Sequence, residues 1–580
     1  MTGAAPVAAA AVVAGVCWPL ANSLLLAPAA TRPLARRLAP WAPLPLLLIA
    51  LLGGSRSAEY HWLLFGGRLG IDAVGAVLLP AMTGLWLAAG LAASSMLAED
   101  PRRHTFFAFF LVTMAGNFLL LLALDAIAFY LGFTVMTFGA YGLIVHDGSD
   151  RARHAGRYYI ALAVLGEVCV IVGLMLTAGL GDTGFATLRA NLAAGEHGTG
   201  MAIGLLIAGF GVKAGLVGVH YWLPLAHPVA PTPASAVLSG AMIKAGLLAW
   251  IRLLPLGEAT LPAWGSALAA AGLLTAAWGV FAGLPQREAK TVLAYSSMSQ
   301  MGLMMVPVGL GLGAPGQWPV LRAALLIFMV HHCLAKGTLF LGIGVMKAAR
   351  GRVAVVGRIV LTTAALSLSA APLTAGLLAK TGIKLGAAGI IGPWHDHLPW
   401  LLALSSVLTA LLMLRFLRLA WPAGAGGGPA AGVLAPWLLL FAAALTLPWL
   451  LGDAELRLAA LARHAQWGAV QPLLVTALLT AAAHYLQRTG RLVALPALPP
   501  GDLGIALERL LLAAGDRARS ASLRLGAAAA SARERAPRAG LRANARWESL
   551  AASAEDRLMA WSVTGTLVAV LGVAAAWLLT

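Results

Sequence analysis

Charge is what this sequence has least of. Only 11% of its 580 residues are Asp, Glu, Lys or Arg, while 60% are hydrophobic; soluble domains carry about 25% charged residues. With a mean hydropathy of +0.85, that shortage excludes a soluble globular enzyme. Cysteine is nearly absent: Cys17, Cys169 and Cys333 lie in apolar runs without metal-ligand spacing, so neither a disulfide framework nor an iron–sulfur centre is expected. No redox-cofactor motif is visible. The sequence therefore implies no cofactor, no metal site and no redox chemistry of its own, and leaves open whether the chain serves as an enzyme subunit. Acidic residues number 22 against 40 basic ones, a net charge of +18. The arginines sit mostly in short loops and one C-terminal segment, which reads as membrane topology and not as a nucleic-acid surface. Lysine is scarcer still: seven against 33 arginines, all between Lys213 and Lys384. Compositional bias explains arginine in loops but not lysine inside apolar helices. Lysine, unlike arginine, readily gives up its proton when desolvated.

What is abundant is apolar runs, each long enough to cross a ~30 Å hydrocarbon core as a helix. Lipid offers no partner to backbone polar groups, and barrel alternation is absent, so the chain reads as an all-α polytopic membrane protein. About sixteen helices are expected, over 6–30, 38–54, 71–97, 106–124, 126–146, 158–180, 199–223, 231–254, 263–284, 291–312, 319–346, 359–386, 399–421, 433–451, 466–487 and 558–579. The N-terminus lacks a basic leader region, so its first run reads as a retained helix. Arg32, Arg36, Arg37, Arg102, Arg103, Arg151, Arg153, Arg157, Arg287, Lys290, Lys347, Arg350, Arg352 and Arg358 all fall in loops on one side of this topology. The positive-inside rule makes that side cytoplasmic.

The most informative stretch is Gly211 to Arg252, GVKAGLVGVHYWLPLAHPVAPTPASAVLSGAMIKAGLLAWIR. Lys213 and Lys244 stand in apolar helices on either side of a break containing His220, His227 and four prolines. A lysine at mid-membrane costs at least about 2.5–3.5 kcal/mol, which makes each one a functional candidate. Prolines cannot continue a helix, and broken helices at membrane depth line cavities or lie within protein. Glu167 stands mid-span in AVLGEVCV, as an ion partner or as a protonated hydrogen-bond partner. In REAKTVLAYSSMSQMG, Ser296, Ser297, Ser299 and Gln300 form a polar cluster. His332 and Lys336, four apart, share one helix face and suit a proton relay; the adjacent pair His331–His332 points two ways, which disfavours a metal site. A second broken helix carries Pro372, then Lys380 and Lys384. Two broken helices with lysines point to an internal repeat. From Asp502 to Arg557, ten arginines and seven acids are interleaved with Leu and Ala. That segment reads as an amphipathic helix reaching on the order of 80 Å, or as an arginine–alanine linker.

HYWLPLAHPVAPTPASAVLSGAMIKAG, LAYSSMSQMG and HHCLAKGTLFLG resemble motifs of the antiporter-like subunits of respiratory complex I and multi-subunit cation–proton antiporters, in order and spacing. The wording around Lys213 and Lys244 is most similar to the hydrogenase-4 component B type. The likeness covers about residues 70–420. It implies N-terminal helices over 1–105, two inverted five-helix repeats over 106–254 and 263–421, and further helices over 433–487. It also implies an amphipathic lateral helix over 502–557 and an anchor helix over 558–580. By position, Lys213, Lys244, His332 with Lys336, and Lys380 match the family's proton path.

Two departures stand out. The family's YLGWE appears as YLGFT, so Thr134 occupies the place of the glutamate that partners the Lys213 position. LPDAH appears as LPLAH, with Leu225 in place of the acid. Either Glu167 supplies the missing charge, which is the reading favoured here, or the first half-channel is impaired.

The expected path is Lys213, Lys244, His332, Lys336, Lys380, Glu167 and His220, supported by Ser299, Gln300 and Lys384. The expected role is proton or sodium translocation within a redox-driven complex in a bacterial inner membrane. Its partners would be other subunits of a complex I-like or hydrogenase-like assembly and the lipid bilayer, with no nucleic acid. A non-transporting scaffold, or an energy-coupling subunit for bicarbonate-like solute uptake, is the alternative.

Overall fold

The structure, a computed structural model, describes residues 4–52, 57–60, 67–178, 182–195, 198–421, 431–490 and 498–502, with positions 504–505, 513, 516–517 and 519–528 beyond them. The expected anchor over 558–580 and most of the expected lateral helix over 502–557 lie outside the described residues.

α1 (Ala4–Leu25), α2 (Arg32–Leu38) and α3 (Leu44–Leu52) lead into an antiparallel hairpin of β1 (Ser57–Tyr60) and β2 (Gly67–Gly70) that the sequence reading did not anticipate. α4 (Ala73–Met96), α5 (Arg103–Leu122), α6 (Ala126–Ile144) and α7 (Asp150–Ala178) follow as long helices, and α8 (Phe185–Ala194) is a short one. α4 and α6 begin at aspartate caps that satisfy amides without an intrahelical partner: Asp72 accepts from Gly75 N at 2.6 Å, and Asp125 accepts from Ala128 N at 2.9 Å.

Next comes the first broken helix, α9 (Thr199–Ala214) and α10 (Trp222–Val229). It stops at Gly215 and turns through Gly218, with φ of +77° and +93°, values that glycine adopts at little cost. α11 (Thr232–Val237) then passes through a π-turn at Leu238–Met242 into α12 (Lys244–Leu253).

α13 (Pro262–Gly283), α14 (Ala289–Gly313) and α15 (Trp318–Ala348) precede the second broken helix, α16 (Gly351–Leu368) and α17 (Ala375–Ala388). α18 (Pro393–Ala420), α19 (Ala431–Leu451), α20 (Ala454–Leu461) and α21 (Arg463–Arg488) complete the bundle. The two broken helices thus lie fourth in two series of five spans, α5–α12 (α8 aside) and α13–α18. By alternation of direction, the series begin at opposite ends of the bundle, which is an inverted repeat. The basic loops gather at one end: Arg102 donates to Asp147 O at 2.8 Å, and Arg151 pairs with Glu288 at 2.8 Å.

Among the described residues, twelve helices are long and apolar enough to cross a membrane, with shorter apolar helices at Val12–Leu25 and Thr199–Ala214. α14 is not among the twelve, although the sequence reading counts it. Its serines and glutamine dilute its apolarity, yet every residue from Thr291 to Leu312 is buried. α11–α12 and α15 are each buried throughout an 18-residue apolar window as well, although the first turns of α15 are partly exposed, Val320 by 45%. The helices that carry Lys244, Ser297, His332 and Lys336 are therefore enclosed around those residues. Residues 1–502 form one compact unit. Of the second unit, residues 503–580, the described stretch 519–528 is helical and exposed.

Candidate functional site

Each lysine proposed from sequence for the path is buried, on a helix of the inner layer or beside a helix break. Lys213 stands in the last turn of α9, two residues before Gly215. Its Nζ donates to Tyr159 Oη at 3.1 Å, and the ammonium faces the rings of Tyr159, Phe133 and Trp222 at 5.1–5.8 Å. Aromatic faces partly replace the lost hydration of a cation. Trp222 Nε1 donates to Val212 O at 2.8 Å, tying α10 back across the break.

Glu167 lies two helical turns after Tyr159 on α7 and enters the same region. Its Oε2 accepts from Thr134 Oγ1 at 3.4 Å, while its buried Oε1 has no protein partner among the described residues. Thr134, standing where the resemblance placed a glutamate, therefore contacts an acid from the neighbouring helix. Glu167 and Lys213 form no direct ion pair among the described residues: the first accepts from Thr134 and the second donates to Tyr159. A cavity of about 10 Å³, lined by Phe133, Thr137, Tyr159, Gly166, Lys213 and Trp222, adjoins them; it is about the size that holds one water.

The second group is central. Lys244 follows the π-turn, a distortion frequent at functional sites. Its Nζ donates to Ser239 O at 2.9 Å and lies 2.6 Å from His332 Nδ1 on α15. Ser239 Oγ meets Ser297 Oγ of α14 at 2.6 Å. Ser297 Oγ donates to Leu293 O at 2.9 Å, and Lys336 Nζ donates to the same carbonyl at 3.0 Å. The track Lys336–Leu293–Ser297–Ser239–Lys244–His332 therefore crosses three helices. His332 bonds Lys244 and not Lys336, although helical spacing puts those two on one face.

One turn beyond Ser296, Gln300 donates to Thr409 Oγ1 of α18 at 3.2 Å. One turn before Thr409 stand Ser405 and Ser406, which accept from Lys380 Nζ at 2.8 and 2.7 Å. Ser299 packs beside Gly279 at the α13–α14 contact, and Lys384 is half-buried one turn past Lys380. His220 joins neither lysine group. Its Nε2 lies 3.2 Å from Asp502 Oδ2.

Sequence reasoning passed over Tyr159, Ser239, the pair Ser405–Ser406 and the contacts of Asp502. A tyrosine two turns from Glu167, and a serine doublet in an apolar helix, are faint signals. Nothing local joins Asp502 to His220.

Residues 123–411 match the family described as NADH:quinone oxidoreductase/Mrp antiporter, TM. The chain belongs to the antiporter-like membrane proteins of this superfamily. It is 29% identical over 247 residues to hydrogenase-4 component B of Escherichia coli (strain K12), covering 41% of this chain and 36% of that protein. It is 28% identical over 247 residues to NADH-quinone oxidoreductase subunit N of Maricaulis maris (strain MCS10), covering 42% and 50%. The antiporter-like chain spans half or less of the length of these curated relatives. Its fold superposes on a chain of the Mrp complex from Dietzia sp. DQ12-45-1b with a TM-score of 0.71 at 20% identity, covering 95% of this chain and 63% of that one.

Proposed function

We propose that this chain translocates protons, or sodium ions, as a membrane subunit of a redox-driven complex of the NADH dehydrogenase or hydrogenase type, in a bacterial inner membrane with its basic loops cytoplasmic. One observation carries the reading: the buried track from Lys336 and Lys244 through Ser239, Ser297 and His332, which Gln300 and Thr409 extend toward Lys380. Several buried ammonium groups held by neutral partners are costly as scaffolding. Lysine and histidine can both accept and release a proton, the direct step being between Lys244 Nζ and His332 Nδ1. The Ser239 and Ser297 hydroxyls lie beside it and can donate and accept, but among the described residues they meet Lys244 and Lys336 only through the carbonyls of Ser239 and Leu293. His332 Nε2, Gln300 Oε1 and Ser296 Oγ are buried without a protein partner among the described residues. Such atoms are normally met by ordered water, which suits a hydrated axis.

The coupling step lies at Lys213. In this arrangement Glu167 bonds Thr134 and Lys213 bonds Tyr159. Closing the two into contact at about 4 Å is worth about 4 kcal/mol at an effective dielectric of 20. A partner subunit that makes or breaks this pair would set the charge on Lys213 and drive the proton toward Lys244 and Lys380. The test is proton translocation by vesicles holding the intact complex, wild type against Lys213→Ala, Lys380→Ala and Glu167→Gln. Loss in all three with assembly preserved is the expected result. Normal pumping by the lysine variants would assign the chain a scaffold role.

A further inference from the structure

Between Lys213 and the central track no continuous hydrogen-bond chain runs among the described residues. A buried carboxylate lies in that interval. Asp502, the last residue of the first unit, is 7% exposed, and its side chain is almost fully enclosed. Its Oδ2 lies 3.2 Å from His220 Nε2, on the turn between α9 and α10, and accepts from Tyr295 Oη of α14 at 2.7 Å. Tyr295 is two residues before Ser297 of the central track. The preceding backbone is fixed as well: Gln286 Nε2 donates to Leu498 O at 3.2 Å, and Gly501 packs on Leu225. Leu225 is the position at which LPLAH departs from the acid-bearing family pattern. His220 Nδ1, buried on the far side of the ring, has no protein partner among the described residues.

We propose that Asp502 is a proton-transfer residue bridging the first broken helix to α14, supplying across the chain the carboxylate that position 225 lacks. The proposal rests on the translocation reading above. A proton entering at His220 Nδ1 leaves Nε2–H protonated; that proton passes to Asp502 Oδ2, breaking one N–H bond and forming one O–H bond. The imidazolium–carboxylate pair becomes a neutral pair, and no electron is transferred. Imidazole can pass a proton in this way because each ring nitrogen can donate or accept. A purely structural staple needs only an acceptor for the phenol and the imidazole.

Asp502→Asn separates these roles, since the amide keeps an acceptor oxygen but cannot carry the proton. In vesicles of the intact complex we expect Asp502→Asn to assemble and to pump at least tenfold more slowly, with Asp502→Glu recovering part of the rate. Wild-type pumping by Asp502→Asn, while Lys213→Ala is inactive, overturns the proposal and leaves the translocation reading intact. Wild-type pumping by Lys213→Ala and Lys380→Ala overturns that reading instead. If Asp502→Asn does not assemble, Leu225→Asp in the same chain decides. Restored assembly with pumping supports a relay acid; assembly without pumping, or none, assigns Asp502 to the fold.

Discussion

The two broken helices solve the same problem with different chemistry. At the first, Lys213 faces three aromatic rings and a tyrosine hydroxyl, with Glu167 next in sequence to Gly166 of the pocket wall. At the second, Lys380 is met by two serine hydroxyls and, more distantly, by Leu402 O at 3.4 Å; no carboxylate bonds it among the described residues. The first lysine therefore sits near an acidic side chain, while the second sits in a cradle of neutral hydroxyls. Coupling to a partner suits the former, and a terminal stop before release suits the latter.

The largest effects should come from the lysines themselves. Lys244→Met, which fills the same space without charge, is expected to abolish proton translocation while the complex still assembles. Lys213→Met and Lys380→Met should do the same. Activity surviving in Lys380→Met alone would break the comparison and restrict conduction to the first half. A sharper test moves the acid. Glu167→Gln should slow pumping at least tenfold. Adding Thr134→Glu, which returns a carboxylate to α6 beside the same contact, should restore a measurable part of it. Failure of the double variant, with assembly intact, would remove Glu167 from the partner role.

The lysines and both breaks were legible in the sequence because each violates a strong rule. A cation in an apolar helix is expensive, and a proline ends a helix, as Pro372 does between α16 and α17. The first break, however, lies at Gly215–Tyr221, before the prolines that the sequence pointed to, with Pro224 and Pro228 inside α10. Serine, threonine and tyrosine violate nothing, since they serve as ordinary glue between membrane helices. The Ser405–Ser406 cradle and Tyr159 therefore became visible only from geometry. The β1–β2 hairpin escaped because strands of four residues are too short to leave a periodic signal. The His220–Asp502 contact spans 282 positions, a separation no local pattern can report. His332 was named from its spacing to Lys336, and the structure adds its contact with Lys244 Nζ: spacing shows which residues share a face, not which of two neighbours the ring meets.

A more modest effect is expected at the neutral cradle. Each hydroxyl–ammonium hydrogen bond contributes about 1.5–3 kcal/mol, because one partner is charged. Ser405→Ala and Ser406→Ala each leave the other hydroxyl in place, so each should slow translocation several-fold, and the double variant by more than either. Equal rates for wild type and double variant would mean that Lys380 draws its support from elsewhere.

The smallest effect tests the turns. The first break uses glycine at φ +77° and +93°, whereas the second forces Ala370 and Leu373 to +58° and +62°. Non-glycine residues rarely occupy that region, and holding one there costs of order 1–3 kcal/mol. The same kind of exchange should therefore have opposite signs at the two breaks. Leu373 is 68% exposed, so Leu373→Gly removes strain with little loss of packing and should raise the midpoint of thermal unfolding slightly. Gly218→Ala, at a site with open space around the added methyl, introduces the strain and should lower it. The size of each shift is small because Gly also gains freedom in the unfolded chain, which offsets part of the relief. Shifts of the same sign at both positions would show that the second break, like the first, is an unstrained turn. Pumping measured on Leu373→Gly then separates two roles for the strain: an unchanged rate makes it incidental, and a reduced rate makes it part of how the second half holds Lys380 in place.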